Sequence, residues 1–89
     1  MVNYIELNKE VVQNLNSNIT GIIDRSYTCM NEGNKCLEFV LNEKVFMIYL
    51  INNEYFLTEL KLKGGFFDEF DILDRVTLEQ IKTYLNYEI

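Results

Sequence analysis

Apolar positions recur at helical spacing near both ends of the chain. Residues 8–16 predict a short helix with Asn8 as its N-cap. Its apolar face is formed by Val11, Val12 and Leu15. Toward the other end, Thr77 and Gln80 have the spacing of a capping box, which predicts the start of a second helix. That helix has an apolar face of Leu78, Ile81, Leu85 and Ile89, while Glu79, Lys82 and Asn86 are expected to point outward.

Between these helices the pattern changes to strands separated by tight turns. The predicted strands are residues 19–30, 35–41, 45–51 and 55–63, and Gly21 is a candidate bulge in the first of them. The predicted turns are residues 31–34, 42–44 and 52–53, and Gly64-Gly65 ends the fourth strand. Because such short connections force antiparallel pairing, the strands are expected to form a meander.

The faces of the later strands differ. Strand 45–51 is apolar on both faces, which is typical of a central strand covered on both sides. Strand 55–63 alternates, with Phe56, Leu60 and Leu62 on one side and Glu59, Lys61 and Lys63 on the other. Residues 66–73 fit a fifth strand, an irregular loop or a short helical turn equally well. The predicted fold is therefore α+β: one domain over residues 1–89, with a four- to five-stranded antiparallel meander and a helix from each end packed on it.

Aromatic residues are numerous, with six Tyr and six Phe in 89 residues. Aromatic side chains fill a thin core efficiently and also favour interfaces. We expect Tyr49 and Tyr84 in the core and Tyr87 at the surface.

The charge balance indicates which partners are favourable. Fourteen acids and eight bases give a net charge of −6. The bases are scattered along the chain, so direct binding to nucleic acid or to an anionic membrane is not expected. A basic protein, or the basic groove of a nucleic-acid enzyme, is the electrostatically preferred partner.

The residue types that most enzymes use are missing. The chain has no His, so it has neither an imidazole base nor a His metal ligand. The hydroxyl and thiol groups of Ser17, Ser26, Cys29 and Cys36 have no evident activating partner, and no glycine-rich phosphate loop is present. We expect no enzymatic activity, no cofactor and no metal.

Two cysteines flank the predicted turn at residues 31–34. With a four-residue loop, Met30 would pair with Lys35, and Cys29 would face Cys36 at a distance that permits a disulfide. We favour two reduced, half-buried thiols, because disulfides are rare in the cytosol. A zinc site would need ligands from a second chain.

The location and source are inferred from composition. Residues 1–6 contain no apolar signal segment, and the longest apolar run, 45–51, is too short to cross a bilayer, so a cytoplasmic protein is expected. The abundance of Asn, Ile, Lys and Glu, with no Ala or Pro, indicates an AT-rich genome such as that of a low-GC bacterium or its phage.

The acidic segment 66–74 is the most informative feature. It holds four carboxylates and no base, and residues 66–89 hold six acids against two bases. One interpretation is a solvated loop anchored by its Phe residues. A calcium site is a second interpretation, although Asp68, Asp71 and Asp74 lack the spacing of an EF-hand. The third is an interface in which carboxylates stand in for phosphates against a basic groove.

In size, acidity, AT-rich composition and lack of catalytic residues, the chain resembles small phage-encoded inhibitors of host defence, such as anti-CRISPR and anti-restriction proteins. The resemblance implies a stoichiometric inhibitor that occupies the nucleic-acid-binding surface of a host complex. The expected partner-binding residues are Asp68, Glu69, Phe70, Asp71, Asp74, Glu79 and Tyr87. Two alternatives stay open: a homodimer formed through the sheet, and an antitoxin or immunity-type protein that neutralises a basic toxin.

Overall fold

The computed structural model describes residues 7–26 and 34–89, and within them it confirms the predicted α+β fold. The elements are α1 (Lys9–Gln13), β1 (Thr20–Asp24), β2 (Lys35–Leu41), β3 (Lys44–Ile51), β4 (Glu54–Lys63), β5 (Phe66–Val76) and α2 (Leu78–Tyr87). All neighbouring strands pair antiparallel in the order β1-β2-β3-β4-β5. The sheet is therefore a meander in which β5 is an edge strand.

Three two-residue turns connect the last four strands. They are Asn42-Glu43, Asn52-Asn53 and Gly64-Gly65, and all six residues have positive φ. Turns with two positive φ angles match the right-handed twist of the strands that they join. Asn and Gly adopt this geometry readily, which explains how the sequence predicts these turns; Glu43 is the less expected member.

Residues 66–73, for which the pattern allowed three conformations, form most of β5. The turn at Gly64-Gly65 returns the chain along β4, so that Lys63 pairs with Phe66 and Leu60 with Glu69. Further along, the register shifts on either side of the Leu57–Leu73 pair, near Arg75 with its positive φ. Such irregularities bend an edge strand and hinder its pairing with another chain.

The predicted bulge at Gly21 is confirmed. The pairing shifts between Thr20–Val40 and Ile23–Glu38, and Gly21 has φ +62° at the shift. Strand β1 ends at Asp24, earlier than predicted. The rest of the predicted strand from residue 27, the turn up to residue 33 and Cys29 lie outside the described residues.

Both described helices cover the same face of the sheet, here called the helix-covered face. The caps form as predicted: Asn8 Oδ1 accepts from the Val11 amide at 2.9 Å, and Thr77 and Gln80 make a capping box. The helices pack their apolar sides on sheet residues that are completely buried, namely Leu37, Phe39, Phe46, Ile48 and Leu57. In the described residues, no helix is long and apolar enough to cross a membrane.

Asn86 is exposed, as expected, and its side chain also joins the two helices. Its side-chain amide donates to the carbonyl of Leu15 at 2.8 Å, and Asn16 donates to the carbonyl of Leu85 at 3.1 Å and to Asn86 Oδ1 at 3.0 Å. The helical period predicts the exposure of this residue but not its contact with the chain that follows α1, where backbone carbonyls lack helical partners.

Candidate protein interface

The side of the sheet opposite the helices is here called the open face. It is predominantly apolar, and its partly buried residues include Glu38 and the apolar or aromatic side chains of Val40, Val45, Met47, Tyr49, Ile51, Phe56 and Leu60. In the described part of the chain, no helix or second sheet packs over this face. The expectation that strand 45–51 is covered on both sides therefore holds only for the helix-covered face.

The β4–β5 turn carries the most exposed apolar side chains of the sheet. Leu62, Phe66 and Phe67 are 68%, 77% and 68% exposed, and together they define the hairpin tip. Leu62 pairs with Phe67 across the strands. Clustered apolar groups of this size at the surface are typical of binding sites. Sequence reasoning did not select them, although Gly64-Gly65 between two strands was the signal for a protruding turn.

The acidic segment divides its side chains between the two faces of β5. Glu69 pairs with Leu60 and Asp71 with Thr58, which places both carboxylates on the open face. Asp68 pairs with Lys61 and Phe70 with Glu59, on the opposite side. There the Lys61 ammonium lies 5.1 Å from the centre of the Phe70 ring, a favourable cation–π contact.

The three remaining predicted contact residues lie elsewhere. Asp74 is exposed in the irregular segment between Leu73 and Val76. Glu79 and Tyr87 are exposed on α2, where both line a depression of about 560 Å³ beside the end of α1. The structure thus brings Asp68, Glu69, Phe70 and Asp71 together on one strand and sets Glu79 and Tyr87 in the helical layer.

A small polar cluster lies within the apolar open face, around Glu69. Its Oε1 accepts hydrogen bonds from the Tyr49 hydroxyl and, at 2.6 Å, from Thr58 Oγ1. Burial, followed by the hydrogen bond to Glu69, raises the pKa of Tyr49 above its ordinary value. Tyr84 packs against the core as predicted. Tyr49 was predicted to lie in the core but lies on the open face. In a strand that is apolar at every position, the sequence does not show which alternate residues face the core.

Beside this cluster is a shallow pocket of about 180 Å³ at the β5 side of the open face. Its lining consists of Tyr49, Ile51, Phe56, Thr58, Glu69 and Asp71. Asp71 forms no hydrogen bond or ion pair with any described residue. Sequence reasoning missed Phe56 and Thr58 as site residues, because they meet Asp71 only through the β4–β5 pairing.

Positive charge is sparse on the open face. Arg25 forms an ion pair with Glu38, with Nε 3.6 Å from Oε1. Lys61 and Lys63 pair with Asp68 and Phe66, so they follow the alternation to the opposite side of the hairpin. Arg25 and Glu38 share the open face and neutralise each other, so Glu69 and Asp71 have no basic ion-pair partner in the described residues.

Cys36 and the carboxylates of the described residues concern the cysteine and metal predictions. Cys36 is completely buried, its amide donates to Ser26 Oγ at 3.1 Å, and its carbonyl accepts from the Arg25 amide at 2.7 Å. Arg25 is therefore the described residue that lies opposite Cys36 on the β1 side of β2. Cys29 lies outside the described residues. Within residues 7–26 and 34–89, no three Cys, Asp or Glu side chains converge closely enough to hold a metal ion.

A scan of protein-family models found no match to the chain, and searches of curated proteins and of solved structures found no significantly similar protein. The geometry of the open face and of β5 is therefore the basis for a functional proposal.

Proposed function

We propose that the chain is a non-catalytic protein-binding module that docks β5 and the adjoining open face onto a basic surface of another protein. The observation that carries the proposal is the edge position of β5, where four exposed carboxylates at residues 68, 69, 71 and 74 are accompanied by exposed Phe66, Phe67 and Phe70. Aromatic anchors beside complementary charge are the usual composition of an effective interface.

The most specific form of the proposal is a stoichiometric inhibitor that occupies a nucleic-acid-binding surface. Alternate residues of a strand are about 6–7 Å apart, so Glu69 and Asp71 present two carboxylates in a row on one face, as successive phosphates do on a nucleic-acid strand. A groove lined with Lys and Arg would attract this strand over a distance and align it. We place this activity in the cytoplasm of a bacterial host, against a defence complex of the kind that anti-CRISPR and anti-restriction proteins inhibit.

The test is a capture experiment with two variants of equal net charge. The β5 variant carries Asp68→Asn, Glu69→Gln, Asp71→Asn and Asp74→Asn. The control variant neutralises four exposed acids elsewhere through Glu10→Gln, Glu43→Gln, Glu54→Gln and Glu88→Gln. Each immobilised protein is exposed to a lysate of a low-GC bacterium, and each captured partner is quantified across a series of salt concentrations.

The proposal predicts a partner that the wild type and the control variant recover and the β5 variant loses. Recovery should fall as salt rises from about 50 to 500 mM, because added ions screen charges at an exposed interface. A short DNA duplex should compete with the chain for that partner. Equal recovery by the β5 variant and the control variant would contradict the proposal. If the captured partner is a basic toxin that does not bind DNA, the immunity-type alternative is favoured instead.

A homodimer through the open face is the second candidate function. It is favoured by the apolar area of β3 and β4 and by the exposed Leu62 and Phe67 next to it. Against it, two copies would bring together faces on which Glu69 and Asp71 are unbalanced, and like charges across an interface are unfavourable. Light scattering at about 10–100 µM separates the candidates, since a stable dimer that persists at low salt supports self-assembly.

A further inference from the structure

The pocket on the open face is bordered by two carboxylates, those of Glu69 and Asp71. The two hydrogen bonds from Tyr49 and Thr58 both end on Oε1 of Glu69, so no donor among residues 7–26 and 34–89 occupies its Oε2. Asp71, two residues along the same face, also has its carboxylate available among the described residues. Two acceptors therefore border one side of a pocket of about 180 Å³.

The other walls distinguish between kinds of cation. Phe56, Tyr49 and Ile51 are partly buried and present aromatic and aliphatic surface to the pocket. A guanidinium group is planar, stacks on aromatic rings and donates to a carboxylate through two parallel N–H groups. An ammonium group is a compact, strongly hydrated charge that gains less from such walls. The combination of a fixed carboxylate with an aromatic wall therefore favours arginine over lysine.

A metal ion fits the same site less well. Within the described residues, no group of three potential ligands converges here or elsewhere, and hard cations need six or more oxygen ligands. The carboxylate of Glu69 is also held from one side by two hydroxyl donors, which leaves it well placed for a single partner group approaching from the open face.

From this arrangement we infer that the pocket formed by Tyr49, Phe56, Glu69 and Asp71 binds one arginine side chain of the protein partner. This inference rests on the proposed function, because it names the chemistry by which the partner's basic surface is recognised. The guanidinium lies against the Phe56 ring and donates to Glu69 Oε2 and to the Asp71 carboxylate. The remaining acids of β5 contribute attraction over a longer distance.

The test is an NMR titration of the isotopically labelled full chain with short capped peptides. The probes are acetyl-Gly-Arg-Gly-amide, the same peptide with Lys in place of Arg, and acetyl-Gly-Gly-Gly-amide, all at low salt. The inference predicts shifts centred on residues 49, 56, 58, 69 and 71 with the Arg peptide. Affinity for the Arg peptide should exceed that for the Lys peptide by about two- to fivefold, the contribution expected of a stacked guanidinium at an exposed site.

Variants on the two sides of β5 provide the control. Asp71→Asn and Glu69→Gln should each reduce the Arg-peptide shifts, and Phe56→Leu should remove the preference for Arg over Lys. Asp68→Asn removes the same charge from the same strand but on the opposite side, and it should leave the pocket shifts in place. The unperturbed spectrum outside the pocket verifies that each variant is folded.

Three results would overturn the inference: no localised shifts, equal affinity for the Arg and Lys peptides, or equal effects of Asp71→Asn and Asp68→Asn. These results are independent of the capture experiment. Loss of a partner with the β5 variant, combined with no arginine preference at the pocket, would refute the pocket assignment and leave the proposed function in place.

Discussion

The two faces of this sheet are built from similar residues and used differently. Strand β3 presents Phe46 and Ile48 to the helix-covered face, where both are completely buried. It presents Met47 and Tyr49 to the open face, where both remain partly accessible. The difference arises from what packs above the sheet, since both described helices apply their apolar sides to one face. Apolar character in a strand therefore does not reveal whether a face is used for folding or for binding.

Charge distinguishes the two faces more clearly than hydrophobicity does. On the open face, Arg25 is paired with Glu38, so Glu69 and Asp71 border the apolar surface without a basic ion-pair partner among the described residues. On the other side of the hairpin, Lys61 and Lys63 accompany Asp68, so the charges there are mixed. Apolar area bordered by one sign of charge is what a complementary protein surface can recognise, and it contributes little to the stability of the chain alone.

The largest expected effect comes from a leucine series along β4, which contrasts the two faces directly. Leu57→Ala removes a completely buried side chain from the helix-covered face and should reduce the free energy of unfolding by about 2–5 kcal/mol. Leu60→Ala, on the open face, should cost less than about 1.5 kcal/mol because the residue is only partly buried. Leu62→Ala should lie within about 0.5 kcal/mol of the wild type.

Urea denaturation monitored by circular dichroism measures all three variants under the same conditions. The ranking from Leu57 to Leu62 is the critical result. A loss of stability for Leu60→Ala as large as that for Leu57→Ala would mean that the open face is covered in the monomer, which would contradict the difference between the two faces.

The second prediction concerns the helical layer that makes one face different from the other. Asn86→Ala removes two of the hydrogen bonds that join α2 to the chain after α1, including the 2.8 Å bond to the Leu15 carbonyl, and leaves the bond from Asn16 to the Leu85 carbonyl in place. We expect a loss of about 0.5–1.5 kcal/mol, because a partly buried acceptor is left without its donor. Denaturation by urea gives the value, and Lys82→Ala, at an exposed position on the same helix, is the control.

The third prediction tests the polar cluster of the open face. Tyr49→Phe removes the hydroxyl that donates to Glu69 and should cost about 0.5–1 kcal/mol at neutral pH. Because the pKa of Tyr49 is raised in the folded chain, its contribution to stability is complete below the ordinary tyrosine pKa near 10 and is lost as the pH rises above it.

Between pH 8 and pH 10.5, the free energy of unfolding should therefore fall less in Tyr49→Phe than in the wild type. Part of the fall persists in the variant, since burial also raises the pKa values of Tyr55 and Tyr84. An identical pH dependence in the two proteins would exclude the proposed environment of Tyr49.

The smallest effect on stability is expected from the β5 variant. Its four substitutions are at exposed positions, and removing like charges from one strand offsets the loss of the Glu69 contacts, so the free energy of unfolding should change by no more than about 0.5 kcal/mol. Thermal unfolding measures this change. A loss above about 2 kcal/mol would show that these acids serve the fold, and it would weaken the argument that they serve binding.

The sequence was sufficient to predict the order of the helices and first four strands, the positions of the turns at 42–44 and 52–53, the end of β4 at Gly64-Gly65, the Gly21 bulge and both helix caps, since each depends on local geometry. It was insufficient for residues 66–73, whose conformation depends on pairing with β4 beyond Gly64-Gly65. It misplaced Tyr49 and did not reveal the hydrogen bonds of Asn86, because the partners Glu69 and Leu15 are distant in sequence. The sequence pattern identified the acids of β5 as contact residues. It could not show that Asp71 pairs with Thr58 to complete the pocket, because that depends on the register between β4 and β5.

Hydrogen–deuterium exchange of the chain, alone and in complex with a captured partner, tests the binding account most directly. In the complex, we expect slower exchange in peptides covering the hairpin tip and residues 66–76, the edge strand of the described sheet. Slower exchange confined to residues 78–87 of α2, with β5 unchanged, would contradict the assignment of β5 and the open face as the binding surface.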